Sequence, residues 1–166
     1  MYQEIIHEVR PDVIIECGSY KGGSALFLAS MCDLVNNGRV ISVDVMPWFR
    51  PKHRRISYIL GSSTDPAIVE SIRGEIDGSV MAILDSAHDK GHVLDEMRAY
   101  APMVTSYLIV EDTNVNGHPI APDFGPGPME AVEQFLAEND EFERDDSREK
   151  FLLSFNPGGW LRRKYA

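Results

Sequence analysis

The chain of 166 residues is short of cysteine, short of positive charge and without any long apolar run. Its cysteines, Cys17 and Cys32, make no metal-binding or redox spacing, which excludes a disulfide framework and a thiolate zinc centre. Lys and Arg number 16 against 26 Asp and Glu, a formal net charge of -10. So acidic a chain lacks the basic footprint that holds a phosphate backbone or an anionic lipid surface, so neither nucleic acid nor membrane is expected as a partner. No apolar stretch reaches bilayer-spanning length, and the first residues show no secretory leader pattern. The expectation is a soluble, cytoplasmic protein with one domain over residues 1–166. A chain of this length buries roughly two-thirds of its unfolded surface, enough for a core without staples.

What the chain does have is organised around Val13-Ile14-Ile15-Glu16-Cys17-Gly18-Ser19-Tyr20-Lys21-Gly22-Gly23-Ser24. The β-branched run reads as a buried strand. Gly18, Gly22 and Gly23 then allow a tight turn and a close approach of a ligand to the backbone. Ser24 is placed to cap a helix over the apolar residues that follow. Strand, glycine turn and helix start form a cradle at the carboxyl end of a parallel strand. The spacing is not the dinucleotide fingerprint G-x-G-x-x-G, and Glu16 would repel a pyrophosphate. An acid there suits a cofactor with a cationic or amino-bearing end. Ser19 and Ser24 fall in the same turn as candidate cofactor contacts, and Gly18→Val is expected to abolish binding with the fold intact.

Along the chain, Ile5, Ile6 and Val9 predict a short first helix, ended by Pro11. A helix from about Ser24 to Val35, a strand over 39–45, a strand over 56–60 and a helix from Pro66 to about Arg73 follow, the last capped by Thr64 or Asp65. Residues 80–85 and 107–112 read as strands, with a helix between them from near Asp89 to Tyr100. Residues 113–128 form a long Gly/Pro/Asn loop of the kind that binds ligands. A helix over 128–138 precedes two expected strands, 142–145 and 151–155, an antiparallel hairpin at the edge of an otherwise parallel sheet.

Parallel strands end on one edge of their sheet, so Glu16, Asp44, Asp85, Glu111 and Asp112 should crowd a single rim. Asp44, ending the second strand, is placed to accept hydrogen bonds from ribose hydroxyls. Asp85, Glu111 and Asp112 make a hard, all-oxygen set of the kind Mg²⁺, Mn²⁺ or Ca²⁺ prefers. His88, three residues past Asp85, is a candidate general base with an ordinary pKa of about 6.5. His88 and His92 are not read as a zinc pair, because Asp89 stands where the protease pattern has Glu.

Several stretches together resemble the cephalosporin hydroxylase / rhamnosyl O-methyltransferase family of class I S-adenosylmethionine-dependent methyltransferases. They are Pro11-Asp12-Val13-Ile14-Ile15-Glu16 with its glycines, Gly61-Ser62-Ser63-Thr64-Asp65, Leu84-Asp85-Ser86, Val110-Glu111-Asp112-Thr113-Asn114, Arg148-Glu149-Lys150-Phe151 and Asn156-Pro157-Gly158-Gly159. The resemblance covers nearly the whole chain. It implies a Rossmann-like α/β methyltransferase fold, S-adenosylmethionine as cofactor, Ser62 and Ser63 against its adenine, and magnesium at Asp85, Glu111 and Asp112. A more distant similarity to catechol-type O-methyltransferases implies a catalytic lysine where this chain has His88. Family members carry an N-terminal extension before the first helix, which here follows Met1 almost directly. The resemblance therefore implies a more open site, or a cover supplied by another chain.

The reading is metal-dependent methyl transfer from S-adenosylmethionine to a hydroxyl or carboxyl oxygen of a small molecule. The alternatives are a non-catalytic S-adenosylmethionine-binding partner and, less favoured, a nicotinamide oxidoreductase on the same fold. Self-association, as a homodimer or larger homo-oligomer, is also expected, with Trp48, Phe49 and Trp160 as contacts. A monomer mass in light scattering across micromolar concentrations would contradict it.

Overall fold

The computed structural model describes residues 1–151 and 153–164. Seven strands form one sheet: β1 (Val13–Cys17), β2 (Arg39–Asp44), β3 (Ile56–Leu60), β4 (Val80–Leu84), β5 (Tyr107–Val110), β6 (Phe142–Arg144) and β7 (Trp160–Arg163), in the order β3-β2-β1-β4-β5-β7-β6. Pairings from β3 to β5 are parallel, and β7 runs antiparallel to both β5 and β6. The helices are α1 (Tyr2–Val9), α2 (Gly23–Val35), α3 (Pro66–Gly74), α4 (Lys90–Tyr100) and α5 (Pro128–Glu138). The expected α/β architecture, mostly parallel with antiparallel C-terminal strands, is the one observed.

The strand residues alternate between two cores, as a period of two requires. Ile15, Cys17, Val43, Leu84 and Val110 pack with α3, α4 and α5 residues. Ile14, Val40, Met81, Ile83 and Ile109 pack with Ile5, Ile6 and Leu28 of α1 and α2. Central strands buried on both faces read as continuous apolar runs, which is why β1, β4 and β5 were visible in the sequence.

Three local expectations are corrected. The second hairpin strand is not 151–155 but Trp160–Arg163. Leu152 lies outside the described residues, while Phe151, Leu153 and Phe155 are exposed and outside any strand. Trp160 and Leu161 are the buried pair that fits beside β5. The connection before β7 crosses toward α1 instead, held by Arg148, whose Nη1 donates to Glu8 Oε1 at 3.1 Å, Nη2 to the Tyr107 hydroxyl at 2.9 Å and Nε to Asp145 Oδ2 at 3.2 Å. Trp160, expected as a contact between copies, is buried against Tyr2 with ring centroids 5.2 Å apart. Ser24 does not cap α2. That helix starts at Gly23 after a left-handed Gly22, and Ser24 faces the Glu16 pocket instead. No helix among the described residues is long and apolar enough to cross a membrane.

The turn after β1 is pressed onto the turn after β4. Gly18 has φ +97°, and a Cβ there would sit 1.9 Å from the Asp85 carbonyl oxygen. Gly18→Val therefore cannot leave the fold untouched, contrary to the expectation above. Gly74, the last residue of α3, has open space where a Cβ would stand. In urea titrations, Gly18→Ala should lose about 2 kcal/mol or more, from left-handed strain plus a backbone clash. Gly74→Ala should be neutral or gain up to about 1 kcal/mol. Equal midpoints for the two variants would contradict this packing.

Candidate active site

A cavity of about 780 Å³ opens beyond the carboxyl ends of β1, β2 and β4, within the size range of small-molecule sites. Gly18, Ser19, Ser24, Asp44, Ser62, Ser63 and Asp85 line it, so seven of the residues singled out in the sequence meet there. Met46, Trp48, Ser86 and His92 also form its walls, although the sequence reading gave none of them a place in the cofactor site. Met46 and Trp48 lie in the few residues after the strand-end acid Asp44, and that position was the available signal. Gly22 lies outside the lining; a Cβ there would meet the Tyr58 hydroxyl at 2.6 Å.

Asp44 is partly engaged by its own loop. Oδ2 accepts the Tyr20 N–H at 2.6 Å, Oδ1 accepts the Met46 N–H at 2.7 Å, and Arg50 stands 3.6 Å away. It therefore shapes the cavity mouth as well as lining it. Glu16 lies deeper, buried behind the cavity in a small pocket with Tyr2, Ser24, Asp85 and Glu111. Its Oε2 accepts the Ser42 hydroxyl, which is itself hydrogen-bonded to Ser19. Burial pushes the Glu16 carboxyl up, the Ser24 and Ser42 hydroxyls offset part of that, and Asp85 adds to it.

The rim acids divide between two positions. One oxygen each of Asp85 and Asp112 and a ring nitrogen of His88 lie within 4.8 Å of one another. His88 Nε2 is 2.9 Å from Asp112 Oδ2 and 3.4 Å from Asp85 Oδ1. It is buried with no well-aligned hydrogen bond. Contact with Asp85, reinforced by Asp112, outweighs burial and raises the His88 pKa. Glu111 is not part of this convergence. Its Oε1 accepts the Tyr2 hydroxyl, beside Glu16. Burial, relieved in part by Tyr2 and reinforced by Asp85, Asp112 and Glu16, pushes Glu111 up to about 7. The separation is made after the strand: Glu111 and Asp112 follow the end of β5, and Asp112 turns away with φ +53°. Asp85 alone belongs to both pockets and to the Asp–His–Asp convergence.

The long loop after β5 is tied down beside His88. Glu130, in the first turn of α5, accepts the Gly127 N–H at 2.7 Å and the Asn116 amide at 2.8 Å, with His118 Nε2 at 3.0 Å. The Lys90 N–H, opening α4, donates to Pro126 O at 3.0 Å.

The strand order, the glycine turn and the acids on one rim define a class I methyltransferase fold. Solved structures of that fold overlay the chain: the Mg-SAM form of cmcI at TM-score 0.74 and 23% identity, covering 99% of this chain and 69% of that one, and MycE at TM-score 0.64 and 20% identity, covering 81% and 41%. The family model for Rhamnosyl O-methyltransferase/CmcI matches residues 1–164. Rhamnosyl O-methyltransferase of Mycobacterium leprae (strain TN) is 45% identical over 174 aligned residues, spanning 98% of this chain and 76% of the relative. The protein of that name from Mycobacterium tuberculosis (strain ATCC 25618 / H37Rv) is 41% identical, spanning 98% and 71%. The chain belongs to the rhamnosyl O-methyltransferase/CmcI family.

The Glu130 tether carries a pH dependence. Burial alone would raise this carboxyl, but the Gly127 N–H, His118 and Asn116 outweigh it and hold it down at about 2, against an ordinary 4.5. A carboxyl depressed by folding contributes stability above its unfolded pKa and loses it as pH falls through the folded one. Urea unfolding should therefore show wild type more stable than Glu130→Gln at neutral pH, with the gap closing as pH falls from about 4.5 to about 2. At neutral pH the variant should also be cut faster within residues 113–127. A gap independent of pH would rule out the ionised tether.

Proposed function

We propose that this protein transfers a methyl group from S-adenosylmethionine to a hydroxyl oxygen of a small-molecule acceptor, with a divalent cation, Mg²⁺ or else Mn²⁺ or Ca²⁺, held by Asp85 and Asp112. The observation that carries the reading is the double position of Asp85, in the wall of the large cavity and in the convergence with His88 and Asp112. Donor and acceptor sites then share one residue, as transfer between them requires. The cmcI neighbour is an Mg-SAM complex, and the MycE neighbour holds Mg, SAH and mycinamycin VI. The curated relatives are rhamnosyl O-methyltransferases, which favours a sugar hydroxyl as acceptor.

The donor set fits a cation. Two carboxylate oxygens converge, with His88 Nε2 beside them left free to act as a base, and among the described residues no lysine or arginine is paired with either acid. A bound cation would supply a Lewis acid that lowers the acceptor hydroxyl's pKa and fixes its direction. The chain's own residues do the rest. Glu16 receives the amino group of the methionine part, reached past Ser24. Asp44 offers its remaining lone pairs to ribose hydroxyls, and Gly18 lets the backbone come close. Asp85 and Asp112 orient the acceptor toward the cavity, and Glu111, held by Tyr2, supports them from behind. As the oxygen–carbon bond forms and the sulfur–carbon bond breaks, His88 Nε2, 2.9 Å from Asp112 Oδ2, is the group placed to accept the hydroxyl proton. Self-association belongs to the same reading, with the exposed Trp48 and Phe49 as its contact residues.

The test uses labelled S-adenosylmethionine with rhamnosides, phenols and carboxylates. Exhaustive chelation should abolish turnover, and Mg²⁺ or Mn²⁺ should restore it. Asp112→Asn should weaken the metal requirement's affinity more than cofactor affinity. His88→Ala should lower turnover by about 10² to 10⁴ with cofactor binding intact. Full activity in the chelated sample would return the acids to a structural role.

A further inference from the structure

One wall of the large cavity is built on a carboxylate that never reaches the surface. Glu96, on α4, is fully buried. Its Oε1 accepts the hydroxyl protons of Ser63 and of Ser86, the latter at 2.6 Å. His92 Nε2 lies 3.3 Å from that oxygen, 3.0 Å from Ser86 Oγ and 3.3 Å from Ser63 Oγ. The Tyr100 hydroxyl donates to the Ser63 carbonyl at 2.8 Å and fixes the backbone behind it. Ser63, Ser86 and His92 line the cavity, whereas Glu96 lies behind them. Its second oxygen, Oε2, has no hydrogen-bond partner among the described residues.

A hydroxyl has one proton and two lone pairs. Ser63 and Ser86 give their protons to Glu96, so toward the cavity they can present only lone pairs. His92 Nε2 faces the same oxygen, and contact with Glu96 outweighs burial and raises its pKa, which favours the doubly protonated ring. With Nε2 aimed into the cluster, that nitrogen has its donor turned inward as well.

We propose that Glu96 is a positioning residue that commits these protons inward and makes this wall an accepting surface, selecting an amino-bearing heteroaromatic base over its 6-oxo counterpart. The inference rests on the reading that the cavity holds S-adenosylmethionine, and it states which feature of the adenine the protein reads. The 6-amino group brings N–H donors to Ser63 and Ser86. A 6-oxo group would set lone pairs against lone pairs and leave buried polar atoms unpaired, which is the costly case. A glutamine at position 96 can donate as well as accept, which frees a serine hydroxyl to turn its proton outward.

The experiment is calorimetric titration of the full chain with S-adenosylhomocysteine and with S-inosylhomocysteine. Wild type should prefer the adenosyl ligand by about tenfold or more, the scale of one buried mismatched hydrogen bond. Glu96→Gln should bring the ratio toward parity, mainly by improving the inosyl ligand. A merely structural role would weaken both ligands together and leave the ratio unchanged. Circular dichroism confirms folding; if Glu96→Gln does not fold, Ser86→Ala is read in its place and should lower the ratio by removing an accepting oxygen. Equal wild-type affinities, or an unchanged ratio in a folded variant, would overturn the inference. Wild type binding neither ligand would overturn the cofactor reading itself, and this inference with it.

Discussion

Negative charge gathered at the carboxyl edge of a parallel sheet is the constraint on which the rest depends. Glu16, Asp85, Glu111 and Asp112 leave adjacent strands toward one rim, and desolvation raises the pKa of Glu16 and Glu111. Among the described residues, what stands directly against them is mostly neutral donors and one imidazole: Ser24 and Ser42 at Glu16, with the Arg50 charge further off, Tyr2 at Glu111, His88 between Asp85 and Asp112. Hydroxyls relieve the two acids that are buried. The more exposed pair is left with the histidine alone. Such an edge is rich in negative charge, the environment in which a carboxyl's pKa rises and a cation is favoured.

That imbalance also orders the surroundings. α1 is packed onto the sheet by Ile5 and Ile6 and brings the Tyr2 hydroxyl to Glu111. Arg148 joins α1 to the connection before β7, and so couples the C-terminal strands to the same rim. On the other side, Gly18 brings the β1 turn against the Asp85 backbone. Asp85 is thus placed by contact with the cofactor turn, not by its own strand alone, and the two halves of the site are mechanically one.

Much of this was legible in the sequence, for a physical reason. Strands buried on both faces are mostly apolar, so β1, β4 and β5 announced themselves, and the acids at or just past their ends marked the rim. Asp65 before Pro66 and Asp89 before α4 could be read as helix starts from capping chemistry alone. What was not legible depended on partners distant in sequence. The apolar run 151–155 looks more like a strand than Trp160–Arg163, yet only the latter finds a buried place beside β5. Glu111 and Asp112 read with Asp85 as one set of three acids, and the left-handed turn at Asp112 that parts them left no mark in the sequence. Glu96 gave no signal, because its importance comes from Ser63 and Ser86, which lie far along the chain.

The central claim is that one residue, Asp85, joins a cofactor cavity to a cation site. Crystals grown with S-adenosylhomocysteine and Mn²⁺ test it most directly, through an anomalous difference map at the manganese edge. The account predicts a peak between the Asp85 and Asp112 carboxylates, next to His88, with the ligand's homocysteine end pointing toward it from the cavity. Ligand density in the cavity with no peak at those carboxylates, or a peak elsewhere on the rim, would contradict it.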